Sequence, residues 1–240
     1  MKRVIVSLAL FFGILNADII DATTDIMLYT NKTDHEINQN IEVYDPFEEY
    51  NRVITAVNGA FYDYLFYPIA FGYDYVVPDP IQGAFLNFFD NLLYPVRLLN
   101  NLLQGDLNGS WGETKRFLIN TTLGFAGFSD AASLHFNMPR YSEDFGQTLG
   151  VWGISSGPHI VWPILGHSNF RDSLGLVGDY FANPIGYIND DPTRYGVGGG
   201  KKLNEFSTQL DPYNALKLKN DPYAFSRDMY YLQRQKAIRE

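Results

Sequence analysis

The sequence predicts a mainly α-helical protein, and two observations support that fold class. Aspartate followed by proline is a strong helix start, because aspartate caps the first turn and proline fits the first helical position. Apolar residues then recur three and four positions apart, which is the spacing of one helical face. The pairs Asp45-Pro46, Asp79-Pro80, Asp211-Pro212 and Asp221-Pro222 are interpreted as such starts.

The first predicted helix begins at Asp45 and ends at Pro68, because proline interrupts the hydrogen-bond ladder of a helix. Glu48 and Glu49 place negative charge at the positive end of the helix dipole. The apolar face of this helix consists of Phe47, Tyr50, Ile54, Val57, Phe61 and Tyr64.

The second helical stretch begins at Asp79 and has a broad apolar face. Pro95 is expected to kink or break it, and the apolar surface then continues to Gln104. Such a face can be ordinary core, or it can lie in a membrane interface. Candidate membrane-interface residues are Phe85, Phe88, Phe89, Leu92, Leu93, Leu98, Leu99 and Leu102.

Shorter helical stretches follow. Residues 110–121 are predicted to form a third helix, and a short helix is expected from Arg171 to about Phe181. The run Gly196 to Gly200 is interpreted as a flexible break. Residues 222–238 are charged and amphipathic, so they are predicted to form the last helix.

Residues 145–170 contain no Asp, Glu, Lys or Arg, yet they keep histidine, serine, threonine and asparagine. Their glycines and prolines exclude a regular spanning helix. An uncharged but polar, glycine-rich segment suits irregular backbone that is buried within protein or lines a cavity.

Composition excludes several classes of protein. The 240 residues carry 18 Lys and Arg against 27 Asp and Glu, a formal net charge of −9. Nucleic-acid binding normally requires a basic surface, so we expect no nucleic-acid partner. The chain has no cysteine, which excludes disulfides, thiolate zinc sites and cysteine nucleophiles. The histidines are scattered, so we expect no metal site and no cofactor.

Residues 1–17 have the layout of a secretory signal peptide. Two basic residues precede a nearly all-apolar stretch that ends at Leu15, and Ala17 supplies the small residue before the cut. The stretch is too short to span a membrane, although an uncleaved anchor is the alternative. A lipoprotein signal would need cysteine after the cut, so we expect no N-terminal lipid anchor. Residues 18–44 are interpreted as an acidic leader.

One short motif suggests an enzyme. Gly153-Ile-Ser155-Ser-Gly157 matches the nucleophile elbow of serine esterases, which requires a strand before the serine and a helix after it. A glycine-rich turn is favoured, because Pro158 follows at once, so we expect no catalytic residue. Asn108 begins a glycosylation sequon, although a capped turn before the third helix explains the same residues.

A series of motifs runs in order through about residues 44–190. The most specific run is Asp144-Phe145-Gly146-Gln147-Thr148-Leu149-Gly150. Other runs are Asp45-Pro46-Phe47-Glu48 with Asn51-Arg52, then Asn58 and Asp63, Asn100 with Leu103-Gln104-Gly105, Arg116-Phe117, Asn120-Thr121-Thr122-Leu123-Gly124, Asp130 and Arg171-Asp172. Together these motifs resemble the MlaA/VacJ family of outer-membrane proteins that maintain lipid asymmetry.

The resemblance implies a ring-like bundle of amphipathic helices with the glycine-rich irregular segment around a central polar passage. It implies a location in the inner leaflet of the outer membrane, on the periplasmic side. Phospholipid would be the cargo, a trimeric porin and a periplasmic lipid carrier protein would be partners, and no covalent chemistry would occur. Candidate passage residues are Gly146, Thr148, Gly150, Gly153, Gly157 and Arg171.

The resulting domain organisation is a core at 45–190 and a divergent helical C-terminal region at 191–240. The predicted function is removal of mislocalised phospholipids from the outer leaflet for return to the inner membrane. One alternative is a soluble periplasmic lipid-binding or structural protein, and a remote alternative is a serine esterase at Ser155.

Overall fold

The computed structural model describes residues 43–239. The predicted signal peptide and the leader up to residue 42 lie outside the described residues. Helices dominate the described chain, which confirms the predicted fold class. In chain order the elements are α1 (Glu48–Phe61), α2 (Tyr67–Val76), α3 (Asp79–Leu92), α4 (Tyr94–Gln104), α5 (Leu107–Thr122), α6 (Ala131–Phe136), α7 (Phe145–Val151), β1 (His159–Trp162), β2 (Gly166–Asn169), α8 (Phe170–Ala182), α9 (Asp191–Ser207), α10 (Leu210–Lys217) and α11 (Pro222–Arg239).

Helices α1 and α2 form one continuous helical rod, and Pro68 lies inside it. The prediction that Pro68 ends the helix is therefore wrong. A π-helical turn at Tyr62–Phe66 precedes the proline, and the N–H of Tyr67 bonds to the carbonyl of Tyr62. The hydrogen bonds of a π-helical turn reach back five residues instead of four. The change occurs just before Pro68, which has no N–H to donate, so the helix continues through the proline.

The run Gly196–Gly200 lies within α9, so its interpretation as a flexible break is also wrong. Glycine weakens a helix interior by roughly 1 kcal/mol per residue relative to alanine, so contacts beyond the run must compensate. Asp190 caps the first turn of α9. Near the other end, the Asn204 side chain donates to the main-chain carbonyl of Gln82 on α3 at 3.0 Å.

The segment 145–170 contains more regular structure than predicted. After α7, strands β1 and β2 form an antiparallel hairpin in which His159 pairs with Asn169. The loop 152–158 and the hairpin tip 163–165 are its irregular parts. Gly153 and Gly157 in that loop have left-handed backbone, with φ of 88° and 68°, which glycine adopts without strain.

The break near Pro95 is confirmed. Leu93 separates α3 from α4, and Pro95 occupies the first turn of α4, where its missing N–H costs nothing. The next helix, α5, begins earlier than the predicted residue 110. Asp106 caps it by accepting hydrogen bonds from the N–H groups of Asn108 and Gly109.

The C-terminal helices pack against the rest of the described chain. Helix α9 contacts α2 and α3, and α11 contacts α7, β2 and α10. A small apolar cluster lies between α10 and α11, where Phe225 and Met229 are buried with Leu216 and Leu232 packed on them.

Polar side chains fill most of the interior of residues 43–239. The largest fully buried side chains include lysine, histidine, glutamate and several amides, whereas valine is the one aliphatic side chain among them. They are Lys201, His159, Gln82, Gln147, Glu113, Val161, Asn51, Asn101, Asn169, Asn204 and Thr148. Since buried polar groups are stable only when they are paired, the hydrogen bonds of this interior define the site.

Candidate functional site: a polar interior beneath an apolar surface

Two asparagines of α1 line the outer edge of strand β1. The Asn51 side chain accepts from the N–H of Val161 at 2.8 Å and donates to the carbonyl of His159 at 3.2 Å. Asn58, two helical turns later, accepts from the N–H of Ile164 at 2.6 Å. These amides take the place of a neighbouring strand, so the backbone of the edge is satisfied. An unpaired backbone group is costly in apolar surroundings. Because these backbone groups are paired with asparagine side chains, the strand edge can lie in such surroundings.

A network of buried charges joins α3, α4, α5 and α6. Arg97 donates to Glu113 at 2.6 Å, and Arg116 donates to both oxygens of Asp130 at 2.8 and 2.9 Å. Burial alone would raise the pKa of Asp130, but hydrogen bonding from Ser133 and the surrounding guanidinium groups hold it well below its usual range. These charges are therefore buried as pairs, which is the condition under which burial is tolerated.

A second network lies where α7, α8 and α11 meet. Asp144 caps α7 by accepting from the N–H of Gln147 at 2.7 Å. Arg234 of α11 donates to Asp144 and to Asp172, each at 2.9 Å, and the Tyr230 hydroxyl also donates to Asp172. Burial alone would raise the pKa of Asp144, but the Arg234 guanidinium holds it below its usual range.

Two carboxyl groups beside this network form no ion pair among residues 43–239. They are Glu143 and Asp179, and a chain of hydrogen bonds links them through Gln104, Thr148 and Asn100. Burial and neighbouring negative charge raise the pKa of Glu143 to about 7 and that of Asp179 to about 8. At neutral pH this part of the interior is partly protonated, so it presents polar groups with little fixed charge.

Three of the candidate passage residues lie at the contact between α7 and α8. A Cβ on Gly146 would lie 2.6 Å from the Arg234 guanidinium and 2.7 Å from the Asp172 carboxylate, so a side chain there would displace this ion pair. A Cβ on Gly150 would lie 2.9 Å from Arg171, whose guanidinium pairs with Asp172 at 2.8 Å. The structure thus brings Gly146, Gly150 and Arg171 together around one carboxylate.

The other candidate passage residues are spread on either side of that contact. Thr148 is fully buried and belongs to the hydrogen-bond chain between the two carboxyl groups. Gly157 packs against Phe170, whereas nothing lies within 4 Å of a Cβ on Gly153. The six candidate passage residues therefore lie partly at the contact between α7 and α8 and partly in the loop 152–158 that follows α7.

The candidate membrane-interface residues differ in exposure. Phe85, Leu99 and Leu102 are exposed, whereas Leu93 is buried, with 4% of its surface accessible. Phe88, Phe89, Leu92 and Leu98 are half-buried, and the Phe88 ring stacks on Phe128 with centroids 4.8 Å apart.

Large apolar side chains cover much of the outer surface of the described chain. Tyr64, Tyr75 and Phe125 expose 85%, 87% and 83% of their surfaces. Exposed apolar side chains of this size suit contact with another protein or with a membrane. Within residues 43–239 no helix combines the length and hydrophobicity needed to cross a membrane.

The structural context of Ser155 does not match a nucleophile elbow. Helix α7 precedes the serine and strand β1 follows it, which is the reverse of the required order. Ser155 is exposed in the loop. The remote esterase hypothesis therefore loses the geometry on which it depended.

Another serine, Ser226, has its hydroxyl 2.7 Å from the Nε2 atom of His167. The Nδ1 atom of His167 in turn lies 3.1 Å from the Nε2 atom of His159. A catalytic base must accept a proton, and here burial lowers the pKa of His167 to about 3 and that of His159 to about 4. The Ser226 hydroxyl donates to the carbonyl of Pro222 at 2.7 Å, so its proton is directed away from His167.

The sequon residue Asn108 is exposed in the first turn of α5, but Ser110 is buried and donates to the carbonyl of Asp106. The capping interpretation of these residues therefore agrees with the structure.

The fold and this distribution of side chains define a class: a mainly helical protein with a paired polar interior and an apolar outer surface. The sequence profile of the family described as "MlaA lipoprotein" matches residues 43–237. The chain belongs to the MlaA family, which confirms the resemblance found in the sequence.

Relatives cover most of the chain. A Rickettsia felis protein named "Uncharacterized protein" is 31% identical over 98% of this chain and 93% of its own length. Two proteins named "Intermembrane phospholipid transport system lipoprotein MlaA" also match. The Escherichia coli protein is 31% identical over 78% of this chain and 75% of its length. The Haemophilus influenzae protein is 30% identical over 82% of this chain and 80% of its length.

A solved structure is similar to most of this chain. It is described as "Structural basis for maintenance of bacterial outer membrane lipid asymmetry", and it superposes with a TM-score of 0.69 at 28% identity. The match covers 81% of this chain and 98% of that chain. These names describe transport and lipid asymmetry, and they name no reaction.

Sequence reasoning missed the residues of α11 that complete the site. Arg234 and Tyr230 reach Asp144 and Asp172 from a helix that was interpreted only as charged and amphipathic. Their signal in the sequence is weak, because a charged residue on an amphipathic helix usually faces solvent. Asn51 was noticed as part of a motif, but its role along β1 required the structure.

Proposed function

We propose that this chain removes mislocalised phospholipids from the outer leaflet of the outer membrane and passes them to a periplasmic carrier for return to the inner membrane. The names of the Escherichia coli and Haemophilus influenzae relatives support intermembrane phospholipid transport. The observation that carries the proposal is the reversed distribution of side chains, with paired polar groups inside and large apolar groups outside.

The physical requirement of lipid transfer agrees with this distribution. A charged headgroup cannot cross an apolar layer without solvation, because burying a bare charge is costly. Within the proposed mechanism, the polar groups between α4, α7 and α8 solvate the headgroup, and Glu143 and Asp179 carry little fixed charge that would repel its phosphate. The apolar surface meanwhile lies among acyl chains.

In this proposal the protein sits on the periplasmic side of the outer membrane and is held by its apolar surface. A trimeric porin is the proposed neighbour in that membrane. Fractionation of cells after a carbonate or urea wash tests the location. Retention in the membrane fraction is expected, whereas release would favour the soluble periplasmic lipid-binding or structural protein.

The function is tested by deleting the gene and measuring phospholipid in the outer leaflet with a lipid-modifying enzyme added to intact cells. We expect surface phospholipid to rise in the deletion strain and to return to normal on complementation. An unchanged level in the deletion strain, with the outer membrane intact, would contradict the proposal.

The contribution of the 146–157 region is tested with two matched variants. Gly153 and Gly105 both have left-handed backbone, and a Cβ on either would meet nothing within 4 Å. Asparagine tolerates this conformation better than other side chains. We expect Gly153→Asn to raise outer-leaflet phospholipid and Gly105→Asn to leave it unchanged. Equal behaviour of the two variants would remove Gly153 from the proposed passage.

A further inference from the structure

Two histidines form a stacked pair between the hairpin and the C-terminal helix. His159 on β1 and His167 on β2 have ring centroids 5.3 Å apart and planes within 20° of parallel. The Nε2 atom of His159 lies 3.1 Å from the Nδ1 atom of His167. The Nε2 atom of His167 lies 2.7 Å from the hydroxyl of Ser226 on α11. A single chain of hydrogen bonds thus connects both strands to α11.

This chain of hydrogen bonds is complete only when both imidazoles are neutral. The Ser226 hydroxyl donates to the carbonyl of Pro222 at 2.7 Å, so it accepts from His167 Nε2, and His167 Nδ1 then accepts from His159. A second proton on His167 would face the N–H of His159. A second proton on His159 would go to its Nδ1 atom, which is buried and has no hydrogen-bond partner among residues 43–239.

The groups that face the pair are mostly aromatic. Tyr223, Tyr230 and Tyr231 of α11 have ring centroids 5.5–6.3 Å from that of His159. Two charges lie nearby: Asp45, which precedes α1, and Arg227 of α11. Asp45 accepts from the Tyr223 hydroxyl and pairs with Arg227 at 3.4 Å; its charge raises the pKa of His159, whereas that of Arg227 lowers it.

Polar bonds also join α11 to the body of the protein. Tyr230 bonds to Asn169 and Asp172, and Arg234 bonds to Asp144 and Asp172. The apolar cluster of Phe225 and Met229 packs on Leu216 of α10, and Ile238 lies against Gly150 of α7. The hydrogen bonds to the hairpin and to the carboxylates are therefore the part of this attachment that responds to protonation.

We propose that the His159–His167–Ser226 chain is an acid-sensitive latch, which holds α11 against the hairpin while both imidazoles are neutral and releases it when they gain a proton. Release would uncover Asp172 and Asp144, the carboxylates that α11 covers through Arg234. The proposal concerns the fold and does not depend on the proposed transport function.

The direction of the pH effect follows from the surroundings of the pair. Burial lowers the pKa of His159 to about 4; the charge of Arg227 acts in the same direction, and Asp45 and a backbone hydrogen bond with Ser168 oppose it only in part. Burial, then His159 and Arg227, lower the pKa of His167 to about 3. A released imidazole has a pKa near its ordinary value of 6.5, so the released form binds more protons below that pH. The latch is therefore fully closed above about pH 6.5 and weakens as the pH falls toward 4.

Hydrogen–deuterium exchange of the full chain in lipid nanodiscs tests the latch between pH 7.5 and 4.5, after correction for intrinsic exchange rates. Protection of residues 222–239 is expected to fall about 100-fold or more over this range, since each histidine takes up a proton on release. Protection of α1 should persist, which distinguishes release from unfolding.

The test variant combines His159→Gln and His167→Gln in one chain. The matched control is His135→Gln, at an exposed position. The double variant should keep its α11 protection in acid, whereas His135→Gln should lose it as the native chain does. The latch is overturned if the double variant loses as much α11 protection in acid as the native chain does. It is also overturned if α11 of the native chain stays fully protected at pH 4.5.

A second measurement applies where the double variant does not fold. The ring protons of histidine in the native chain are followed by NMR over the same pH range. Titration of the His159 and His167 rings below pH 5, in step with the loss of α11 protection, supports the latch. Titration of these two rings near pH 6.5 without release of α11 overturns it.

Discussion

The contact between α7 and α8 and the glycine run of α9 use the same residue type in different ways. In the first region the two backbones touch, and a Cβ on Gly175 would lie 2.4 Å from the nitrogen of Gly146. In the second, a Cβ added at Gly196, Gly198, Gly199 or Gly200 would meet nothing within 4 Å. Packing requires glycine between α7 and α8, and it does not require glycine in α9.

This difference shows that glycine content alone does not report the freedom of a backbone. Glycine-rich sequence occurs both at a close helix contact and on an exposed helical surface. Replacing glycine by alanine is expected to destabilise the first and to stabilise the second. The first has no room for a methyl group. The second carries the helix penalty of glycine with no compensating contact at the glycines themselves. Nothing in the described structure explains why α9 has four of them.

The largest expected effect comes from filling the α7–α8 contact. Gly175→Ala would place a methyl group against the backbone of Gly146, which cannot rotate away as a side chain can. We expect a loss of about 3 kcal/mol or more in the free energy of unfolding, measured by chemical denaturation. A loss below about 1 kcal/mol would show that the two helices can separate at little cost, and the contrast with α9 would fail.

A smaller effect is expected from the carboxyl group that the same contact buries. Asp179 keeps its proton up to about pH 8 in the folded chain, whereas an unfolded aspartate loses it near pH 4. The folded state therefore binds more protons between these values, so this group reduces stability as the pH rises through them. Asp179→Asn removes the effect and retains an oxygen that accepts from Asn100 and from the N–H of Phe145.

We expect Asp179→Asn to stabilise the chain by about 2 kcal/mol at pH 8, with little difference near pH 4. Denaturation curves at several pH values measure this. Asp211→Asn, at an exposed position, is the matched control and should change stability only slightly at either pH. A variant less stable than the native chain at pH 8 would mean that the negative charge of Asp179 is needed.

The smallest expected effect lies in α9. Gly199→Ala adds a methyl group in open space and removes the helix penalty of glycine, so we expect a gain of about 0.5–1 kcal/mol. The same denaturation measurement applies. If the variant is instead destabilised in a membrane but not in detergent, the open side of α9 is covered by a partner in the membrane.

Local features of the fold could be predicted from the sequence. A helix begins within three residues of each of the four Asp-Pro pairs that were singled out, and the break near Pro95 was identified correctly, because both depend on residues a few positions apart. The predicted capping by aspartate was wrong at Asp45, Asp79 and Asp211, whereas Asp221 accepts from the N–H of Ala224. Pro68 was misinterpreted because a π-helical turn is not visible in a local pattern. The glycines of α9 were misinterpreted because distant bonds, such as that from Asn204 to Gln82, hold the helix.

The candidate site could be predicted only in part. The run from Asp144 to Gly150 and the pair Arg171-Asp172 were recognised as motifs, and the structure places them together at the α7–α8 contact. The residues that complete this site from α11 could not be found. Arg234 reaches Asp144 across 90 residues of sequence, and a solvent-facing arginine would produce the same local pattern.

The sequence by itself determined the helical class, the absence of cysteine chemistry and the family, because capping, periodicity and motif order are local properties of the chain. Only the tertiary structure decided that the interior is polar, that the Asn51 and Asn58 side chains complete the edge of β1, and that α11 closes the site through the histidine pair. These arrangements depend on which distant groups meet. A buried polar group is stable only with its partner, and the path of the whole chain decides which partner that is.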